Sequence, residues 1–115
     1  MGVKILFDPF KIVIEAFEKL HPDKTADVVF GEGMYEKVGA YGETFMPDAG
    51  GPPVITIDTI TPIDGAVEVL AHELAHVAAG IDAGHGEAWE AEFEAINQEY
   101  TRIADAWQNT HRQEK

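Results

Sequence analysis

Three segments of the chain carry apolar residues at the three- and four-residue spacing of an amphipathic helix. The first runs from Pro9 to Leu20, and Asp8-Pro9 supplies its cap and its first-turn proline. The last runs from Gly86 to about Trp107. We expect both apolar stripes to pack on the core. They consist of Phe10, Val13, Ile14, Phe17 and Leu20 in the first segment and of Trp89, Phe93, Ile96, Tyr100, Ile103 and Trp107 in the last.

The middle helix is predicted from Pro62 to Ala79 or Gly80. Thr61 is its expected N-cap, Pro62 takes the first helical position, and Asp64 returns to the cap. Its apolar stripe points to the core and consists of Val67, Leu70, Leu74, Val77 and Ile81.

Between the first and middle helices the pattern changes to that of short strands and turns. Ala26 to Phe30 is β-branched and predicts a strand, and Met34 to Tyr41 predicts a second strand paired with it through the Gly31-Glu32-Gly33 turn, with a helix as the weaker alternative. The glycines and prolines of Gly42 to Pro53 predict a loop that is either disordered or lies over a site. Val54 to Asp58 alternates apolar and polar residues and predicts a strand.

These elements indicate an α+β fold in one domain spanning residues 1–115. It has an N-terminal helix, a small, mostly antiparallel sheet of about three strands, the middle helix and a long C-terminal helix. A length of 115 residues supports one modest core. Apolar residues make up 45% and charged residues 25%, which is typical of a globular protein.

The charge and cysteine content narrow the possible partners and ligands. Eight Lys and Arg against 21 Asp and Glu give a net charge of −13, so the surface repels nucleic acid and anionic membranes. No cysteine is present, so a metal would have to be held by histidines and carboxylates. The stretch from Met1 to Phe10 lacks the features of a signal peptide, and we expect a cytoplasmic protein.

The middle helix contains the sequence His72-Glu73-Leu74-Ala75-His76. Positions four apart share one face of a helix, so His72 and His76 can bind the same ion while Glu73 lies beside it. These three residues lie off the predicted apolar stripe, and the simpler alternative is a solvated polar face. The H-E-x-x-H spacing favours a Zn²⁺ site.

A catalytic zinc ion usually has three protein ligands, so one more residue is needed. Gly80 and Gly84 are expected to end the helix and reverse the chain, which would return His85 to the ion. The alternative for His85 is a cap or an ordinary loop residue. If His85 does not bind, a carboxylate from the next helix would replace it, and the candidates are Glu87, Glu90 and Glu94.

Such a site would hydrolyse peptide bonds in a peptide or protein substrate. Glu73 is the expected general base, taking a proton from a water activated by the zinc ion and passing it to the leaving amine. Tyr41 is the candidate donor to the oxyanion. An extended substrate would pair with a strand at the edge of the sheet. We expect that strand to consist of Val54, Ile55, Thr56, Ile57 and Asp58.

The stretch from Val54 to Trp89 combines an apolar strand, V-L-A-H-E-L-A-H and then H-G-E-A-W. It resembles the small zincin-type metallopeptidase domains and is closest to the SprT-like group. The resemblance implies a minimal zincin-like fold, zinc on His72, His76 and His85, and Glu73 as the general base.

Two departures limit what the resemblance implies. SprT-like proteins that act on DNA-crosslinked proteins carry a basic or cysteine-rich zinc module, whereas this chain is acidic and has no cysteine. The spacing from His76 to His85 is also three residues longer than the corresponding spacing in metzincins, which excludes a literal match to that group. Metal-dependent endoribonucleases with three histidines fit less well, because they lack a glutamate at the position of Glu73.

Two other functions remain open for the same residues. The protein could be a catalytically weak or inactive zincin-fold module that holds a partner, such as a basic protein attracted by the net charge. Alternatively, the metal could only stabilise the fold.

Overall fold

A computed structural model describes residues 2–111, which form helices packed against a three-stranded sheet. The elements in chain order are α1 (Pro9–Leu20), β1 (Asp27–Gly31), α2 (Met34–Val38), β2 (Gly42–Phe45), β3 (Val54–Asp58), α3 (Ile63–Ala79), a 3₁₀ turn (Ile81–Ala83) and α4 (Glu87–His111). The predicted α+β composition is confirmed.

The three long helices lie where the apolar spacing predicts them. Asp8 caps α1, and its Oδ1 accepts hydrogen bonds from the backbone amides of Phe10 at 3.0 Å and Lys11 at 3.4 Å. Helix α4 continues to His111, which is beyond the predicted end. No helix formed by residues 2–111 combines the length and the apolar content needed to span a lipid bilayer.

The predicted cap of α3 is wrong. The cap position is occupied by Pro62, which has no side-chain acceptor, and the hydroxyl of Thr61 is buried without a hydrogen-bond partner in the described part of the chain. Asp64 Oδ1 accepts from the adjacent amide of Gly65 at 2.8 Å instead of reaching back. The backbone amide of Thr61 donates to the carbonyl of Asp58, so Thr61 belongs to the turn before the helix.

The predicted hairpin after β1 is also wrong. Met34 to Val38 forms the short helix α2, which is flanked by Gly33 and Gly39 with positive φ angles of 81° and 72°. The two glycines adopt the left-handed conformation that starts and ends this single helical turn. The chain therefore does not return beside β1, and the remaining strand comes from residues 42–45, inside the segment predicted as a loop.

The strand order is β1-β3-β2. Strand β3 pairs in parallel with β1, placing Asp27 opposite Val54, and pairs antiparallel with β2, placing Gly42 opposite Ile57. The sheet is therefore mixed rather than mostly antiparallel. A parallel pair needs a crossover connection, and the connection from β1 to β3 contains α2 and β2.

The prediction that β3 lies at the sheet edge is wrong. Its backbone is paired on both sides, so Val54 to Asp58 have no free hydrogen-bonding edge for a substrate. Ile55 and Ile57 are completely buried, and Asp58 is only 3% exposed. Backbone amides of Ile60 and Tyr35 donate to the Asp58 carboxylate at 3.0 and 2.7 Å, and these hydrogen bonds lower its pKa.

One face of the sheet is covered by α3, and α1 and α4 pack against α3 to complete the core. Six residues of the predicted stripes are buried, and small alanine side chains of α1 and α3 fill much of the space between them. The six are Val13, Phe17, Leu70, Leu74, Val77 and Ile96. Two stripe residues are exposed: Leu20 at the end of α1, and Ile81, which lies in the 3₁₀ turn after the glycine break and has left the face of α3. The largest fully buried side chains are Val13, Ile55, Ile57, Leu70 and Ile96.

Candidate metal centre

Three histidine side chains converge at the C-terminal half of α3. His72 and His76 project from successive turns of the helix, and His85 approaches them from the loop before α4. The Nε2 atom of His85 lies 3.2 Å from Nε2 of His72 and 3.2 Å from Nε2 of His76. The three potential ligand atoms all lie within 4.8 Å of one another, so the group could hold one metal ion.

The reversal of the chain after α3 brings His85 back to the helix. The backbone amide of Gly80 donates to the carbonyl of His76 at 2.9 Å, which closes α3. Gly80 and Gly84 have positive φ angles of 96° and 58°, conformations that disfavour other residues. The predicted turn is thus present at the predicted glycines. The carboxylates proposed as substitutes for His85 are not part of the group: Glu87, Glu90 and Glu94.

The two separations at His85 fit a shared metal ion better than a pair of hydrogen bonds. Nitrogen ligands placed about 2.0–2.1 Å from a tetrahedral zinc ion lie about 3.3–3.4 Å from one another, close to the two separations of 3.2 Å at His85. A single Nε2 atom either carries one proton or offers one lone pair. The Nε2 atom of His85 therefore cannot make good hydrogen bonds to both other rings, whereas one shared cation satisfies all three.

The surroundings of the helical histidines favour their neutral form. Burial lowers the pKa of His72 and of His76, Glu73 opposes this shift, and the neighbouring histidines add to it. Only a deprotonated ring nitrogen can bind a metal. The site therefore holds two imidazoles in the form needed for coordination at neutral pH.

An aromatic wall from α4 supports the histidines. The indole Nε1 of Trp89 donates to the backbone carbonyl of His72 at 3.1 Å, and its ring centroid lies 4.8 Å from those of His72 and His85. Phe93 stacks on Trp89 with a centroid separation of 5.0 Å. Because Trp89 contacts rings from two separate elements, it fixes their relative positions.

Glu73 lies beneath the sheet rather than on an open polar face. It is 7% exposed, and its Oε1 accepts a hydrogen bond of 2.7 Å from the hydroxyl of Thr44 in β2. This hydrogen bond occupies one carboxylate oxygen and orients the side chain. Glu73 and His72 both line the same cavity, so the glutamate lies beside one of the three histidines.

That cavity has a volume of about 210 Å³ and lies between α3 and the start of β2. Tyr41 is on its wall, is 45% exposed and stacks on Tyr35 with ring centroids 4.4 Å apart. A tyrosine phenol is protonated at neutral pH, and hydrogen bonding with Tyr35 raises the pKa of Tyr41 further. The structure thus brings Tyr41 into the site as a possible hydrogen-bond donor. The lining residues are Tyr41, Gly42, Glu68, Val69, His72 and Glu73.

Four residues of the site were not predicted from the sequence: Gly42, Thr44, Glu68 and Val69. Gly42 and Thr44 lie in the segment assigned to a loop, where the threonine-phenylalanine pair at positions 44 and 45 was the available signal for a strand. Glu68 precedes His72 by one helical turn, so the i, i+4 rule could have placed it beside the motif.

Gly42 permits the close approach of β2 to α3. A Cβ atom on Gly42 would overlap Cγ1 of Val69 and lie 3.4 Å from Oε2 of Glu73. We expect Gly42→Ala to destabilise the protein by about 1–3 kcal/mol, because a valine side chain has little rotamer freedom in a helix. Urea unfolding measures the change.

Two further variants test whether the overlap with Val69 causes the destabilisation of Gly42→Ala. Gly51→Ala is the matched control, because the nearest atom to its Cβ would be 4.0 Å away. The double variant Gly42→Ala/Val69→Ala should lose less free energy of unfolding than the sum of the losses in the two single variants, since the overlapping atom is gone. Strictly additive effects would show that the overlap is not responsible.

Comparison of the chain with protein-family models, with curated proteins and with solved structures finds no match.

Proposed function

We propose that the protein is a zinc-dependent peptidase of the zincin type, similar to the SprT-like group. The observation that carries the proposal is the convergence of three Nε2 atoms, together with a buried glutamate that shares the wall of one cavity with His72. A structural metal site needs no carboxylate held beside the ligands by a separate hydrogen bond. A hydrolytic site needs a base in that position.

Each residue has a distinct role in the proposed reaction. His72, His76 and His85 would hold the zinc ion. The ion would act as a Lewis acid and would raise the acidity of a nearby water. Glu73 takes the proton from the attacking water and transfers it to the leaving amine. Tyr41, with its phenol protonated, donates a hydrogen bond to the negative charge that develops on the carbonyl oxygen.

The edge strand β2 is the element that best suits an extended peptide. Among residues 2–111 it pairs with β3 on one side, and Gly42 at its start lines the cavity. A peptide added along the free side of β2 would form main-chain hydrogen bonds and run past Glu73. This assignment replaces β3, whose backbone is fully paired.

A second function, a metal-containing module that binds a protein partner, is supported by the small size of the cavity. Its volume of about 210 Å³ is below the roughly 300–1,000 Å³ of ordinary small-molecule sites. In that case the partner would contact the exposed side chains on and next to β2, which are Tyr41, Phe45 and Met46.

Hydrolysis by zinc-loaded protein distinguishes the two functions. We expect the purified chain to bind one zinc ion and to cleave members of a mixed peptide library, with activity lost on chelation and restored by zinc. Mass spectrometry of the products and metal analysis measure both. Stoichiometric zinc with no cleavage of any peptide would reject the peptidase and favour the binding module.

A further inference from the structure

We infer that the cavity lined by His72 and Glu73 selects a cationic side chain of the substrate, lysine or arginine, through the Glu68 carboxylate and the ring of Tyr41. This inference rests on the proposed peptidase function, since it assigns the substrate class of the same site. It follows from the size, the charge and the aromatic wall of the cavity.

The cavity has the dimensions of a pocket for one side chain. Its volume of about 210 Å³ is below that of ordinary small-molecule sites and suits one amino-acid side chain. His72 and Glu73 form one wall, so a side chain bound there belongs to a residue close to the bond that is cleaved. Tyr41 and Gly42 form the wall on the sheet side, at the start of the edge strand.

The charge of the lining favours a cation. Two of its six lining residues are glutamates, and none is a lysine or arginine. Glu73 accepts from Thr44 and serves as the proposed base, so Glu68 is the carboxylate left for recognition. Glu68 is exposed, and within residues 2–111 it forms no ion pair. Glu68 precedes His72 by one helical turn and lines the same cavity, so it lies beside the proposed metal ligand.

The aromatic wall favours the same kind of group. Tyr41 is partly exposed and is backed by Tyr35, whose ring lies nearly parallel to it with an interplanar angle of 11°. A supported aromatic face attracts ammonium and guanidinium groups and also packs on the hydrocarbon part of a lysine or arginine side chain. The net charge of −13 increases the local concentration of basic peptides.

Matched peptides test the selectivity. A peptide that the zinc-loaded protein cleaves is resynthesised with lysine, arginine, norleucine or glutamate at each position flanking the cleaved bond. We expect kcat/KM to be about tenfold higher for lysine or arginine than for norleucine at one of these positions, and lowest for glutamate. Glu68→Gln should bring lysine and norleucine close to parity, and Glu68→Lys should favour glutamate. Glu15→Gln, an exposed position on α1, is the control with the same change of charge.

A binding measurement separates failure of this inference from failure of the peptidase proposal. N-acetyl-lysine methylamide and its norleucine analogue are titrated into the zinc-loaded protein, and the NMR shifts of the Tyr41 ring and the Gly42 amide are followed. We expect tighter binding of the lysine compound, and loss of that preference in Glu68→Gln but not in Glu15→Gln.

The two readouts together give a decision in every case. Cleavage without a preference for cations, or with a preference that survives Glu68→Gln, overturns the cationic pocket while the peptidase stands. If no peptide is cleaved, the titration decides alone: a lysine preference that depends on Glu68 supports the pocket, and equal binding of the two compounds overturns it.

Discussion

Replacing Glu73 with glutamine is expected to lower kcat for peptide hydrolysis by about 10²–10⁴-fold while one zinc ion stays bound to each chain. Glutamine has nearly the same shape but cannot take a proton from water at neutral pH. Its side-chain oxygen can still accept the hydrogen bond from Thr44, so the contact between β2 and α3 is retained. Steady-state kinetics on a cleaved peptide, together with metal analysis of the same sample, measures both effects.

The matched control for this change is Glu15→Gln, which removes one negative charge on the exposed face of α1. It should retain the kcat of the unmodified protein. Thr44→Val tests the orientation of Glu73 separately, because it removes the donor to the carboxylate and leaves the base itself. We expect a smaller loss of kcat in that variant. Full activity in Glu73→Gln would exclude Glu73 as the base and reject the mechanism.

The parts of the site that lie on α3 could be predicted from the sequence because their geometry is local. Residues four apart on a helix always share a face, so His72 and His76 could be paired without knowledge of the fold. The glycines at positions 80 and 84 likewise carry their conformational preference in their identity. His85 could be placed because only a short reversal separates it from His76.

The parts that depend on strand pairing could not be predicted in this way. Thr44 meets Glu73 across 29 positions of sequence, and that contact exists only because β2 lies at the edge of the sheet next to α3. The short segment of α2 has too few residues to show a helical period. The parallel pairing of β1 with β3 is decided by how the helices cover the sheet, which no local pattern encodes. Assigning Val54 to Asp58 to the edge failed for that reason.

The groups proposed for hydrolysis come from elements distant in the sequence. Helix α3 supplies the proposed base and two histidines, the loop before α4 supplies the third histidine, and β2 supplies the threonine that bonds to the proposed base. Trp89 then ties α4 to α3 through the carbonyl of His72. The groups are thus held by the core itself, so no large additional wall is needed to position them.

Replacing His85 with alanine is expected to weaken zinc binding by more than about 100-fold. Loss of a residue that only orients a ligand already costs about 10–100-fold in affinity, and His85 would be a direct ligand. The fold itself should persist without metal, because His85 is exposed and contributes no buried contact to the core. Competition with a chromophoric chelator measures the affinity, and melting of the metal-free proteins measures the stability.

The matched control is His21→Ala, which removes a histidine that bonds to Glu92 at 2.8 Å and lies outside the metal group. It should bind zinc as tightly as the unmodified protein. Added zinc should raise the melting temperature of the unmodified protein and of His21→Ala, and have little effect on His85→Ala, because stabilisation by a ligand follows its affinity for the folded state. Unchanged affinity in His85→Ala would mean that His72 and His76 bind the ion with a different third ligand, and the three-histidine centre would have to be abandoned.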